Sequence, residues 1–292
     1  MQRVSRRDVL RQAVALTATF VAVPSILRAA QAPAIRFGMV TYQWGRDWDL
    51  PTLLKNCQAT GILGVELRTT HKHGVEPTLS AAERAEVKAR FADSPVKLVS
   101  IGSAEDFHSP DPAAVKRSIE KTREFLKLSA DVGSSGVKVR PNDLPRGVEP
   151  QKTIEQIGKA LNECGAYAAD LGQQVRLEVH GGCSKPSVIK QIMDVATNPA
   201  VAVCWNSNNS DQEAPGLEAN FMMLRPRMGL TSHVRQLDTP GYAWADLIRL
   251  FVKTNYQGWL LLEAGGKDPE DRVAAMIRQR ELFEQLMAKA MA

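Results

Sequence analysis

The 292-residue chain holds only 4 cysteines, Cys57, Cys164, Cys183 and Cys204, at spacings that match neither a zinc finger nor a dense disulfide framework. A disulfide-stapled scaffold is excluded, and most of the four read as small core fillers. No segment reaches the ~20 consecutive apolar residues that a membrane-spanning helix needs, so no stable transmembrane span is expected once a leader is cleaved. No G-x-G-x-x-G follows the first strand-like run, which removes the argument for a dinucleotide fold. No Gly/Ser-rich or low-complexity tract divides the chain after residue 32, so a second folded domain is not needed. A strong excess of one charge is missing as well. Of the net +5, residues 1–32 supply +4, from Arg3, Arg6, Arg7, Arg11 and Arg28 against Asp8, leaving +1 for the rest. The electrostatic case for a nucleic-acid partner falls with it.

The front of the chain carries its own pattern. Ser5-Arg6-Arg7-Asp8-Val9-Leu10 is a twin-arginine motif, followed by an apolar stretch from Ala13 to Val23 and by Ala30-Gln31-Ala32, an A-x-A site. Residues 1–32 are therefore expected to be a Tat export signal, with the Tat translocase as a transient partner and the periplasm as destination. Pro33 disfavours cleavage directly after Ala32, which leaves open a cut elsewhere or a leader retained as an anchor. Tat substrates cross the membrane folded, often with a cofactor already loaded, which suits a metal-containing enzyme.

From residue 35 onward, short β-rich runs alternate with helix-period runs. The strands are expected at 35–43, 64–70, 96–102, 136–141, 174–180, 201–207, 230–237 and 258–264. Asp111-Pro112 and Asp268-Pro269 supply helix N-caps with an N1 proline, and Gly61, Gly133, Gly172 and Gly258 stand where helices should stop. Eight strand–helix pairs imply parallel pairing with right-handed crossovers. They favour an α/β fold of the closed (β/α)8 TIM barrel type over residues 33–292 rather than an open doubly wound sheet.

Alternation along a strand sorts side chains by face. Glu66 and Arg68 share one face of the second strand, Lys138 and Arg140 of the fourth, Arg176, Glu178 and His180 of the fifth. Cys204, Asn206 and Asn208 share a face of the sixth, Thr231, His233 and Arg235 of the seventh, and Glu263 ends the eighth. Trp205, of opposite parity to Asn206, is expected against a helix. Charge inside a barrel is costly unless paired, hydrated or bound to metal. These residues gather at C-terminal strand ends, which surround the site mouth in this fold. Glu178, Asn206, His233 and Glu263 make a mixed oxygen and nitrogen donor set suited to Mn2+, Mg2+, Co2+ or Zn2+.

Leu177-Glu178-Val179-His180-Gly181-Gly182, Cys204-Trp205-Asn206-Ser207-Asn208, His233-Val234-Arg235-Gln236-Leu237 and Leu262-Glu263 resemble, in this order, motifs of the sugar phosphate isomerase/epimerase family, the xylose isomerase-like barrels. Gly64-Val65-Glu66-Leu67-Arg68 with His71 and His73, and Gly136 through Asn142, resemble its exported members. The resemblance implies a divalent metal held by Glu178, the residue at 206, His233 and Glu263, with the two glutamates also acting as acid and base. It also marks two departures: Asn206 and Gln236 stand where family members often have Asp. Asn206 removes one negative charge from the metal shell, although an amide oxygen still coordinates hard cations.

The expected reaction is metal-assisted proton transfer next to a carbonyl, giving epimerisation or aldose–ketose isomerisation of a carbohydrate. Export argues for an unphosphorylated sugar or a keto-sugar. The same groups would also serve a lyase or hydratase of 3-keto-glycosides, and loss of the metal would leave a non-catalytic sugar-binding barrel. Abasic-site endonuclease chemistry wants a histidine-rich metal cluster and a basic groove, which 5 histidines and the charge distribution do not supply. Further substrate contacts are expected from His180, Glu66, Arg68, His71, His73, Lys138, Arg140, Arg235 and Asn208. His180 would bind a hydroxyl, assist proton movement or bond a loop carbonyl. Lys138, Arg68, Arg140 and Arg235 would bind a substrate anion or neutralise nearby carboxylates. The sequence leaves open whether the chain forms a homo-oligomer.

Overall fold

Eight strands alternate with eight helices in the computed structural model, which describes residues 35–292; the export signal expected over residues 1–32 lies outside them. The strands are β1 (Arg36–Val40), β2 (Gly64–Arg68), β3 (Lys97–Asp106), β4 (Gly136–Arg140), β5 (Gln174–Glu178), β6 (Val201–Cys204), β7 (Thr231–Val234) and β8 (Trp259–Leu262). The helices are α1 (Leu50–Thr60), α2 (Ala81–Ala92), α3 (Pro112–Asp131), α4 (Pro150–Asp170), α5 (Pro186–Val195), α6 (Leu217–Leu224), α7 (Trp244–Lys253) and α8 (Arg272–Met291). Every ladder is parallel, and the sheet runs in the order β6-β5-β4-β3-β2-β1-β8-β7. Single bridges between Asn206 and His233 and between Val203 and Met228 join its two ends. The result is a single (β/α)8 barrel, closed along a thin β6–β7 seam on which Asn206 and His233 lie side by side.

Local chemistry explains the element boundaries. Asp111 caps α3 by accepting from the Ala113 amide, with Pro112 at the first helical position. Ser80 and Glu83 form a capping box on α2. Gly61 ends α1 in the left-handed region at φ 71°. Two expected boundaries are corrected. The last helix starts at Arg272, capped by Asp271, because Asp268 is drawn into an ion pair with Arg46 at 2.8 Å. After α7 the left-handed position is taken by Asn255 at φ 48°, and Gly258 instead gives room for the ring of Tyr256.

Outward strand residues such as Val65, Leu67, Val137, Val139, Val175 and Leu177 are fully buried under the helices. Trp205 follows them, packing edge-on to Phe221 of α6 with ring centroids 5.4 Å apart. Trp44, Trp48, Trp244 and Trp259 are buried packing residues. All four cysteines are buried and unpaired, and burial pushes the thiols of Cys57, Cys164 and Cys183 up to about 12. Those three are inert core fillers, while Cys204 faces the lumen beside His233. Among the described residues no helix is long and apolar enough to cross a membrane.

At the N-terminal end of the lumen, Trp259 packs with Val40, Val99 and Leu261, while the Arg36 guanidinium covers its ring at 4.5 Å. A Cβ on Gly64 would collide with that indole, which is too rigid to step aside. Overpacking of this kind costs about 1–3 kcal/mol. Gly64→Ala is expected to lower stability by about that amount in chemical denaturation; an unchanged midpoint would show that the lumen floor is loosely packed.

Candidate active site

The inward residues of the strands form two tiers. The lower tier comprises Glu66 on β2, Lys138 on β4, Glu178 at the end of β5, Asn206 just beyond β6, His233 on β7 and Glu263 just beyond β8. All but Glu263 are buried, and its side chain is 18% exposed. Two residues further along the same strands stand Arg68, Arg140, His180, Asn208 and Arg235. These five line a cavity of about 510 Å3 together with Lys138, Glu178, Asn206 and Glu263 from below.

Glu178 is the hub of the lower tier. Its Oε2 lies 2.9 Å from the Lys138 ammonium, while Oε1 accepts from Asn206 Nδ2 at 2.8 Å and lies 3.4 Å from His233 Nδ1. Asn206 Nδ2 also donates to Glu263 Oε2 at 3.1 Å, and His233 Nδ1 is 3.7 Å from Glu263 Oε1. The other ring nitrogen, Nε2, is 3.3 Å from Glu66 Oε1.

Burial works against charge on Glu178, Lys138, Glu66 and His233, and their neighbours outweigh it. Lys138 and then His233 hold the Glu178 carboxyl well below the usual carboxylate range. Glu178, Glu66 and Glu263 raise Lys138. His233 and Lys138 lower Glu66, while Cys204, Glu66 and Glu263 lift His233 well above its ordinary value. Glu66, Lys138, Glu178 and His233 thus form an ionised network. His180 behaves differently: burial, with help from Lys138 and Arg140, lowers it and favours the neutral ring.

The donor set fits a divalent cation. One atom each from Glu178, His233 and Glu263 lie within 4.8 Å of one another, two carboxylate oxygens and one imidazole nitrogen. The ring contacts assign the roles: Nδ1 faces Glu178 and Glu263, and Nε2 faces Glu66, the carboxylate that would orient a ligating histidine from behind. Asn206 now turns its amide nitrogen to both carboxylates, and rotation of the amide would present Oδ1 instead.

The remaining expected residues divide. Arg68, Arg140, His180, Asn208 and Arg235 line the cavity. His180 Nδ1 has no hydrogen-bond partner among the described residues, so that nitrogen bonds no loop carbonyl. Lys138 lines the cavity floor and spends its ammonium on Glu178 at 2.9 Å. Glu66, His71 and His73 do not line that cavity. Glu66 is sealed beneath the cavity against His233. His71 Nδ1 pairs with Thr41 Oγ1 at 3.0 Å, and His73 accepts from the Val75 amide while Nε2 meets the Arg68 carbonyl at 2.8 Å. Both rings build the loop after β2. Gln236, at the second family departure, clasps the loop after Glu263 by donating to Gly265 O at 2.7 Å.

Sequence reasoning missed Tyr42, Ser184, Asn209 and Ser210 on the cavity wall. It also missed Asp211, whose capping-box spacing from Asn208 was the available signal. Asp211 Oδ2 accepts from the Tyr242 hydroxyl at 2.7 Å and from the Asn208 amide at 2.8 Å, tying the loops after β6 and β7 together. Its Oδ1 is buried without a partner, and burial pushes the carboxyl from 3.8 to about 7. The folded chain therefore keeps a proton that the unfolded chain releases, so this contribution to stability is present at low pH and is lost as pH rises from 3.8 to about 7. Asp211→Asn is expected to flatten that part of the melting temperature's pH profile; a profile unchanged by the substitution would contradict the assignment.

A family model described as xylose isomerase-like TIM barrel matches residues 54–285. No curated protein gives a match. Among solved structures, L-ribulose 3-epimerase superposes with a TM-score of 0.75 at 15% identity, over 88% of this chain and 96% of that one. The apo form of 3-keto-D-glucoside 4-epimerase, YcjR, from E. coli gives 0.73 at 15%, over 86% and 99%. The IOLI protein with a bound zinc atom gives 0.71 at 13%, over 87% and 98%.

Proposed function

This chain belongs to the xylose isomerase-like TIM barrel family, and from that premise we propose that it is a divalent-metal-dependent sugar isomerase or epimerase, moving a proton on a carbon next to a carbonyl. The observation that carries the reading is the meeting of Glu178, His233 and Glu263 within 4.8 Å at the foot of an open polar cavity. The resemblance to sugar epimerases supports it.

Glu178, Asn206, His233 and Glu263 would hold the metal, which when bound supplies Lewis acidity towards a carbonyl and its neighbouring hydroxyl. The chain's own groups do the rest. Glu178 and Glu263, both at the cavity floor, remove and return the proton. Lys138 keeps Glu178 ionised and fixes its orientation through Oε2. Glu66 holds the His233 ring, and His180 and Asn208 offer hydrogen bonds to hydroxyls from the upper tier. Elimination at a 3-keto-glycoside is the second reading; it uses the same proton removal and draws on the likeness to a 3-keto-D-glucoside epimerase.

Loading with Mn2+ followed by dialysis is expected to leave about one ion per chain, with affinity raised by Asn206→Asp, which adds a carboxylate to the shell. With ketoses, aldoses and 3-keto-glycosides in D2O, deuterium should enter next to the carbonyl. Glu178→Gln or Glu263→Gln should slow that exchange by roughly 10²–10⁴-fold. Turnover without exchange would favour a hydride shift, and sugar binding with neither metal nor exchange would favour a non-catalytic barrel.

Export through the twin-arginine pathway to the periplasm belongs to the same proposal, supported by Arg6-Arg7 and the apolar run that follows. Arg6→Lys with Arg7→Lys is expected to retain the chain inside the cell on fractionation; undiminished export would overturn it.

A further inference from the structure

Three guanidinium groups ring the upper tier without a carboxylate partner. Arg68 donates to Thr69 O at 3.1 Å and to Thr70 Oγ1 at 3.4 Å, Arg140 to Ala104 O at 2.8 Å, and Arg235 to Asn209 Oδ1 at 3.1 Å. None of the three forms an ion pair among the described residues, whereas Arg46, Arg84 and Arg272 each do. The Nε atoms of Arg140 and Arg235 are buried with no acceptor. A guanidinium carries five N–H donors, so much of the donor capacity of these three is unspent. The acids nearest in charge are engaged elsewhere: Asp211 with Tyr242 and the Asn208 amide, Glu105 with Ser118.

The tiers therefore differ in how their charges are paired. Below, Glu66, Glu178 and Glu263 face the single ammonium of Lys138 and the ring of His233. Above, each arginine stands two residues beyond a member of that network: Arg68 beyond Glu66, Arg140 beyond Lys138 and Arg235 beyond His233. Two strand residues span roughly 6.6 Å, comparable to the length of a monosaccharide. The lower cations are already spent on carboxylates, so an anionic group is matched by the upper guanidiniums, which suit the paired oxygens of a carboxylate.

We propose that the substrate is an unphosphorylated acidic monosaccharide, its carboxylate held among Arg68, Arg140 and Arg235 at the cavity mouth while its carbonyl end is directed to Glu178 and Glu263. This rests on the reading of the lower tier as the reacting end. The arginines are binding and orienting residues: they select the charged sugar and set which end enters first.

The test is calorimetric titration of the intact protein, in Mn2+-containing buffer, with three sugars alike except at one terminus: D-fructose, D-fructuronate and D-fructose 6-phosphate. D-Fructuronate is expected to bind about tenfold more tightly than D-fructose; a gain confined to D-fructose 6-phosphate would overturn the carboxylate assignment. Arg140→Gln and Arg235→Gln, checked for unchanged melting temperature, should each collapse the ratio of anionic to neutral affinity. Equal affinity for all three, no binding of either anionic sugar, or a ratio indifferent to both substitutions would overturn the proposal. Deuterium exchange in the same samples separates the two readings. Anion-selective binding without exchange keeps this inference and rejects the proton-transfer function; exchange on D-fructose with no anionic preference does the reverse.

Discussion

The buried ion pair between Lys138 and Glu178 is the constraint around which the barrel interior is arranged. An unpaired carboxylate at full burial would be neutralised by protonation. The ammonium at 2.9 Å prevents that and leaves Glu178 Oε1 turned toward Asn206 and His233. Three lumen carboxylates, Glu66, Glu178 and Glu263, are set against Lys138, Arg176 and the His233 ring. With His233 protonated the interior is formally neutral. A cation entering at Nδ1 must displace that proton, so metal and proton compete for one nitrogen.

The same barrel geometry gives the site its shape. Asn206 and His233 meet because β6 and β7 are joined by bridges rather than a full ladder, with the His233 amide donating to Trp205 O at 2.6 Å. Outward neighbours in these strands are apolar and pinned under helices, which fixes the direction of the inward ones. Above the lower tier, Asp211 ties the loop carrying Asn208 to Tyr242, and the Tyr242 ring lies under Arg235 at 5.5 Å. Positioning thus passes from strand parity to loop anchoring as one moves toward the mouth.

That gradient also explains what was legible in the sequence. Period-two alternation placed Glu178 with His180, Asn206 with Asn208 and His233 with Arg235 on the lumen side, because strand parity is a local property. It did not give the fate of His71 and His73, since residues past a strand end turn with the loop, and theirs folds both rings back onto Thr41 and Arg68. Asp268-Pro269 looked like a helix start, but a long-range ion pair with Arg46 competes for that carboxylate and Asp271 caps the helix instead. Lys138 shared a face with Arg140, yet alternation is silent on depth. Depth separates a lysine spent on a carboxylate from an arginine left without one.

The most direct test of this arrangement is a high-resolution crystal structure of the protein soaked in Mn2+, with anomalous scattering used to locate the ion. The account predicts one peak bounded by Glu178, Asn206 Oδ1, His233 Nδ1 and Glu263, with Lys138 still on the far oxygen of Glu178. Saturating Mn2+ with no peak there, and Asn206 Nδ2 still bridging the two glutamates, would contradict it.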